Sequence, residues 1–112
     1  MALKAVPEHV HGWVEVSEPG GTLVLRICGE LDVQTRDSIE PAVIAAIASA
    51  EAVIIDLAGL TFCDSHGIAM FIAAHEKAST DSTAFAIRNL TPTVRRLFAI
   101  TGLDALIDLA DG

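Results

Sequence analysis

Ala52-Val53-Ile54-Ile55-Asp56-Leu57-Ala58-Gly59-Leu60-Thr61-Phe62-Cys63-Asp64-Ser65-His66-Gly67-Ile68 opens on a near-continuous apolar run, Ala52 to Leu57, and closes on a helix start. An apolar run of that length reads as a central strand buried on both faces. Asp64 and Ser65 are both favoured N-cap residues. The segment after them, from about Ser65 to Ala78, sets Ile68, Phe71, Ile72 and His75 on one helical face. Strand, short loop and helix in this order form the repeating unit of an α/β sheet.

Upstream, Trp13 to Val16 reads as a short strand and Leu23 to Cys28 as a longer one, joined by a turn at Pro19-Gly20-Gly21. Together they are expected to form an antiparallel hairpin. Gly29-Glu30-Leu31-Asp32 ends the second strand and leads into a helical stretch reaching about Ala50. Pro41 lies inside that stretch, so the helix either kinks or restarts there. Downstream, Thr83 to Arg88 is a strand, and Thr91-Pro92 is an N-cap followed by proline at the first helical position. The helix after it turns Val94, Leu97 and Phe98 inward and stops at Gly102. Ala105 to Leu109 supplies a last edge strand. The expected fold is α/β, a mixed but mainly parallel sheet of about five strands with about three helices, in the order ββαβαβαβ.

The chain has 112 residues, the length of one domain, and no repeat, linker or low-complexity stretch divides it. Residues 1–112 are therefore expected to form a single domain with its core over about 13–109. Hydrophobic residues make up 52% but aromatics only 4%, so the apolar content is Ala, Ile, Leu and Val. That composition suits strands covered by helices on both faces. No apolar run approaches the ~20 residues that span a bilayer, and Met1 to His11 lacks the apolar centre of a signal peptide. A cytoplasmic protein without membrane contact is expected.

Seven basic residues against fifteen acidic ones give a net charge of −8. Nucleic acid is an unsuitable partner, because phosphate binding needs a concentrated basic face, and only Arg88, Arg95 and Arg96 lie near one another in sequence. Two cysteines, Cys28 and Cys63, without metal-ligand spacing favour neither a disulfide framework nor a metal site. No cofactor is expected.

In an open α/β sheet, functional groups gather beyond the carboxyl ends of the parallel strands. Two loops are expected there: Gly29 to Asp32, and Cys63 to Gly67. On one reading Asp64 or Ser65 merely caps the second helix and Gly67 allows close packing. On the other, Ser65 is an exposed hydroxyl beside unpaired backbone N–H groups that would favour a phosphate. Phosphorylation would add about −1.5 to −2 charge and could end the docking of a partner without refolding the domain.

Three blocks carry a resemblance. They are Leu25-Arg26-Ile27-Cys28-Gly29-Glu30-Leu31-Asp32, then Val53 to Ile68 with its Asp64-Ser65-His66-Gly67 motif, then Ile87-Arg88-Asn89-Leu90-Thr91-Pro92-Thr93-Val94-Arg95-Arg96-Leu97 with Ile100-Thr101-Gly102-Leu103-Asp104. In this order they resemble the STAS domain of bacterial anti-sigma factor antagonists, over about Trp13 to Leu109. The resemblance implies a STAS-like single domain that regulates sigma-factor-dependent transcription. It also implies a partner, an anti-sigma factor that is itself a Ser kinase, bound by the unmodified protein and released when Ser65 is phosphorylated. A phosphatase restores binding. Ser65 would be the phosphoacceptor. Asp64 would be its flanking motif residue, and Asp32 an acidic neighbour that orients the hydroxyl or contacts the kinase. His66 and Gly67 would complete the partner-binding surface.

His66 stands where the family usually has Ser or Thr, a departure that bears on kinase recognition. The sequence ends at Gly112, without the helix that often follows the last strand in the family. Some STAS domains are unphosphorylated scaffolds, and some sense nucleotides or anions. Both remain alternatives, although Gly-x-x-x-x-Gly-Lys is absent and Gly20-Gly21 belongs to a hairpin.

A catalytic reading would pair Ser65 or Cys63 with His66. Successive helical residues do not face each other, and Gly-x-Ser-x-Gly is absent. His9, His11 and His75 show no pairing in sequence. An enzyme is not expected. Cys63, at a helix start where a thiolate is stabilised, could form a regulatory disulfide with Cys28. Two small buried residues are the alternative.

Overall fold

The computed structural model describes residues 11–110. His9 lies outside them. In chain order the elements are β1 (Gly12–Ser17), a 3-10 turn at Pro19–Gly21, β2 (Leu23–Leu31), α1 (Val33–Ser49), β3 (Ala52–Asp56), β4 (Leu60–Cys63), α2 (Ser65–Asp81), β5 (Ala84–Arg88), α3 (Pro92–Thr101), α4 (Leu103–Leu106) and β6 (Leu109–Ala110). They form one sheet of six strands in the order β1-β2-β3-β5-β6, with β4 paired to the far half of β2. β1 is antiparallel to β2, and every other pairing is parallel.

β2 is longer than expected, continuing past Cys28 to Leu31. Gly29 makes this possible. It takes φ +81, where an added Cβ would overlap the His11 carbonyl, and the ladder slips between Gly29 and Glu30. β2 pairs with β3 over its first half, Leu23 to Arg26, and with β4 from Gly29 to Leu31, the slip falling inside the second pairing. β4 was not expected. It has four residues and starts just beyond the Leu57-Ala58-Gly59 bend, where Leu60 N donates to Leu57 O at 3.1 Å.

α1 is one unbroken helix through Pro41, not two. Pro41 sits on the exposed side, so the carbonyl it leaves unpaired faces solvent. The inner face of α2 is Gly67, Ile68, Met70, Phe71, Ala74 and Ala78, whereas Ile72 and His75 are only half-buried. The expected last strand is replaced by a helical turn. Gly102 ends α3 at φ +82, α4 follows directly, and β6 is reduced to two residues. The turn buries Leu103 and brings Ile107 N to Leu103 O at 2.9 Å.

The helices do not cover both faces of the sheet. The crossovers through α1, α2 and α3 all step the same way across it, and right-handed steps in one direction put the helices on one side. Phe71 of α2 and Phe98 of α3 meet edge to face at 5.3 Å, as neighbours on one face must. Leu25, Ile27, Val53, Ile55 and Ile87 from the sheet join the helical core, while Val24 and Cys28, though buried, stand outside it.

Candidate functional site

At the carboxyl end of the sheet two strands deliver two helices side by side. Leu31, the last residue of β2, is in register with Cys63, the last of β4. Asp64 N donates to Leu31 O at 3.3 Å. Each strand is followed by an aspartate that caps the next helix, so Asp32 and Asp64 lie on one edge, as expected.

Asp32 Oδ1 accepts from Gln34 N and Thr35 N, both at 3.0 Å, and Thr35 Oγ1 accepts from Asp32 N at 3.0 Å in a reciprocal capping box. Thr35 is buried and also donates to Glu30 O at 2.8 Å. The Thr35 amide above all, then the Gln34 amide, holds the Asp32 carboxyl below its ordinary range. Asp32 is thus engaged in building α1, and its oxygens do not reach Ser65 in any hydrogen bond among the described residues.

At α2 the two sequence readings separate. Asp64 is the cap, accepting from His66 N at 2.8 Å and Gly67 N at 3.4 Å. Ser65 is the first helical residue, and it is exposed. Two of the N–H groups expected to welcome a phosphate, those of His66 and Gly67, are therefore already taken by Asp64. His66 projects to solvent with Nδ1 3.4 Å from Asp64 Oδ1. Gly67 presents no surface to a partner. It is buried, and an added Cβ would overlap Cys63 Sγ and come within 2.9 Å of Leu31 Cγ. The glycine brings α2 down onto β2 and β4, which sets where Ser65 stands.

The cysteines are not brought together. Cys28 and Cys63 are both free thiols, and the register sets Cys63 beside Leu31, about three residues or roughly 10 Å further along β2 than Cys28. Burial pushes the Cys63 thiol up to about 12, helped by the Asp64 charge, the opposite of the expected thiolate. Burial also raises Cys28. Among the described residues no group of three or more His, Cys, Asp or Glu is placed to hold a metal ion, and no helix is long and apolar enough to cross a membrane.

Two features escaped the sequence reading. Asp56, at the end of β3, is buried and accepts from Ala58 N at 2.9 Å, Asn89 Nδ2 at 3.0 Å and Arg88 Nε at 3.3 Å. Burial works against its charge, yet these donors together hold the carboxyl below its ordinary range. The cluster ties the ends of β3 and β5 together beneath the site. The second feature is a groove of about 270 Å³ between β4 and α3, lined by Phe62, Cys63, Val94, Arg96, Leu97 and Ile100. Its rim exposes Phe62 to 49% and Ile100 to 75%. The apolar alternation of Leu60-Thr61-Phe62-Cys63 was the available signal for both β4 and the groove.

The family comparisons agree with this architecture. Residues 14–111 match the family model described as the STAS domain. The chain is 27% identical to an anti-sigma F factor antagonist of Paenibacillus polymyxa over 100 residues, covering 88% of this chain and 86% of that one. It is 33% identical to the anti-sigma-F factor antagonist RsfB of Mycobacterium tuberculosis over 92 residues, covering 81% and 75%. The crystal structure of an anti-sigma factor antagonist from Mycobacterium paratuberculosis superposes with a TM-score of 0.80 at 32% identity, over 88% of this chain and 84% of that one. With a family match across almost all of its described residues, and the sheet, twin caps and helix order to go with it, this chain belongs to the STAS domain family.

Proposed function

We propose that this protein is an anti-sigma factor antagonist whose docking to an anti-sigma factor of the Ser-kinase type is switched off by phosphorylation of Ser65. The observation that carries the reading is the position of Ser65. Its side chain is exposed at the first residue of α2, while the carboxylate beside it already occupies the next two N–H groups. The rim around it, formed by the half-buried Asp32 and Asp64 and the exposed His66 and Phe62, is the surface offered to the partner. Names of relatives at 27% and 33% identity support antagonism of an anti-sigma factor.

The chemistry needs little from this chain. The kinase transfers the γ-phosphoryl group of ATP to Ser65 Oγ, ADP departs and the hydroxyl proton passes to a base of the kinase. The product carries about −1.5 to −2 charge beside two carboxylates, with no free helix-start N–H at the next two positions to neutralise it. A complementary surface that accepted the hydroxyl then meets a desolvated charge without a partner, and docking fails. A phosphatase reverses the change. Such a regulator is non-catalytic and works in the cytoplasm, where the transcription machinery is.

The test is phosphate transfer. Incubated with labelled ATP and a Ser-kinase anti-sigma factor from the same genome, the protein takes up label on Ser65, and Ser65→Ala takes up none. Label retained by Ser65→Ala, or absent from the wild type, contradicts the reading. Absence of label with binding intact is the behaviour of an unphosphorylated scaffold.

A further inference from the structure

β3 lies between β2 and β5, whereas β4, its continuation beyond the Leu57-Ala58-Gly59 bend, pairs with β2 alone. β5 stops at Arg88, level with Asp56 at the end of β3, so no strand reaches the far side of β4 among the described residues. That side keeps backbone groups to offer. Asp64 N donates across the ladder to Leu31 O, and successive amides of a strand point to opposite sides. The Cys63 N–H, one residue earlier, therefore points away from β2. Neither it nor the Cys63 carbonyl finds a hydrogen-bond partner on that side among the described residues. Open groups of this kind along a strand edge are a template for another strand.

Beside this edge runs the groove of about 270 Å³ between β4 and α3. Its floor is apolar, with Val94 buried and Leu97 half-buried, and its rim exposes Phe62 and Ile100. A strand edge next to an apolar groove takes an extended peptide, whose backbone pairs with the edge while alternate side chains fill the groove. Charge narrows the choice. Arg96 is the only charged residue lining the groove, and the exposed Arg95 adjoins it in sequence. In a chain of net charge −8, an acidic segment is repelled by most of the surface and attracted here. The groove also adjoins the Ser65 rim, because Phe62 and Cys63 lead directly into Asp64 and Ser65.

We infer that the anti-sigma factor docks by adding an extended segment, apolar at alternate positions and carrying an acidic residue opposite Arg96, to the free edge of β4. The inference rests on the function proposed above and adds to it a mode of binding. A phosphate on Ser65, two residues beyond the Cys63 amide, then sets its charge at the end of the added strand, against the acidic residues of that segment.

The test uses the unmodified full chain and a Ser-kinase anti-sigma factor from the same genome. Binding is read by calorimetry, and amide exchange by NMR. Ile100→Glu and Arg96→Glu, both at exposed positions and checked for folding by circular dichroism, each weaken binding about tenfold or more. Val16→Glu, an equally conservative insertion of charge at an exposed apolar position on β1, leaves it unchanged. In the complex, exchange of the Cys63 amide slows about tenfold or more, the mark of a new backbone hydrogen bond. Binding undiminished in both α3 variants, or a Cys63 amide that exchanges as fast in the complex as alone, overturns the inference and leaves the switch standing. So does protection of that amide in the protein alone as its concentration is raised, which would assign the edge to a second copy. No binding by the unmodified wild type overturns the switch and the inference together.

Discussion

The starts of α1 and α2 use the same device, a strand followed by a capping aspartate, for different ends. At α1 everything turns inward. Asp32 and Thr35 cap each other, Thr35 is buried and also holds the Glu30 carbonyl, and no hydroxyl is left for solvent. At α2 the cap is one-sided. Asp64 takes the two N–H groups, the third residue is Gly67 pressed against Cys63 and Leu31, and Ser65 is left outside with its hydroxyl exposed. A reciprocal cap makes a joint, whereas a one-sided cap on a tightly seated helix makes a display. Substitution of the buried Thr35 should therefore cost stability and leave binding alone, and substitutions of Ser65 the reverse.

The largest effect belongs to the display. Ser65→Asp is expected to weaken binding of the anti-sigma factor by about 100-fold or more, the cost of an unpaired charge in an interface. Its unfolding midpoint should move by less than about 2 °C, as for an exposed substitution. Calorimetric titration and a thermal melt read the two numbers. A large stability loss in this variant would dissolve the contrast.

Gly67→Ala sharpens it from inside α2. The added methyl has no room beneath the helix, so a stability loss of about 1–3 kcal/mol is expected in urea unfolding. Binding should weaken as well, since the helix start that carries Ser65 must shift. Full stability would mean that α2 is seated less tightly than its contacts indicate.

Thr35→Val tests the joint. Removing a buried hydroxyl that serves Asp32 N and the Glu30 carbonyl is expected to cost about 1–3 kcal/mol, with the affinity for the partner changed less than about twofold. Stability unaltered and binding lost would invert the roles of the two helix starts.

The smallest effect is in acid. The Asp32 carboxyl is held below its ordinary range in the folded chain, so its cap contributes fully above pH ~4 and is lost as the pH falls through the depressed value. Comparing the wild type with Asp32→Asn by urea unfolding, the gap seen at neutral pH should narrow as the pH falls below the ordinary carboxylate range and through the depressed value, where the Asp32 carboxyl takes up its proton. A gap independent of pH would assign the cap to hydrogen-bond geometry alone.

Much of this was legible in the residues. The apolar run Ala52 to Leu57 gave the central strand, Thr91-Pro92 and Gly102 gave both ends of α3, and the Asp64-Ser65 pair gave the start of α2. What escaped notice depends on contacts distant in sequence. β4 finds a place because β2 runs on past its pairing with β3, and the alternation Leu60-Thr61-Phe62-Cys63 does not say which strand it will join. The helices' choice of one face follows from strand order, which periodicity does not encode. Asp56 looked like the end of a strand until Arg88 and Asn89, thirty-two and thirty-three positions away, came to meet it. At the site, sequence placed Asp32, Asp64 and Ser65 on one edge but could not tell which aspartate oxygens were already engaged. It also gave Gly67 a place on the docking surface that its burial denies.

One affinity, measured twice, tests the Ser65 switch most directly. The anti-sigma factor is titrated calorimetrically with unmodified protein and with protein phosphorylated at Ser65, each shown by amide spectra to keep the same sheet. The expected result is binding by the first and a loss of about 100-fold or more in the second, with spectral changes confined to the rim around Asp32, Asp64 and His66. Equal affinity for the two forms would contradict it.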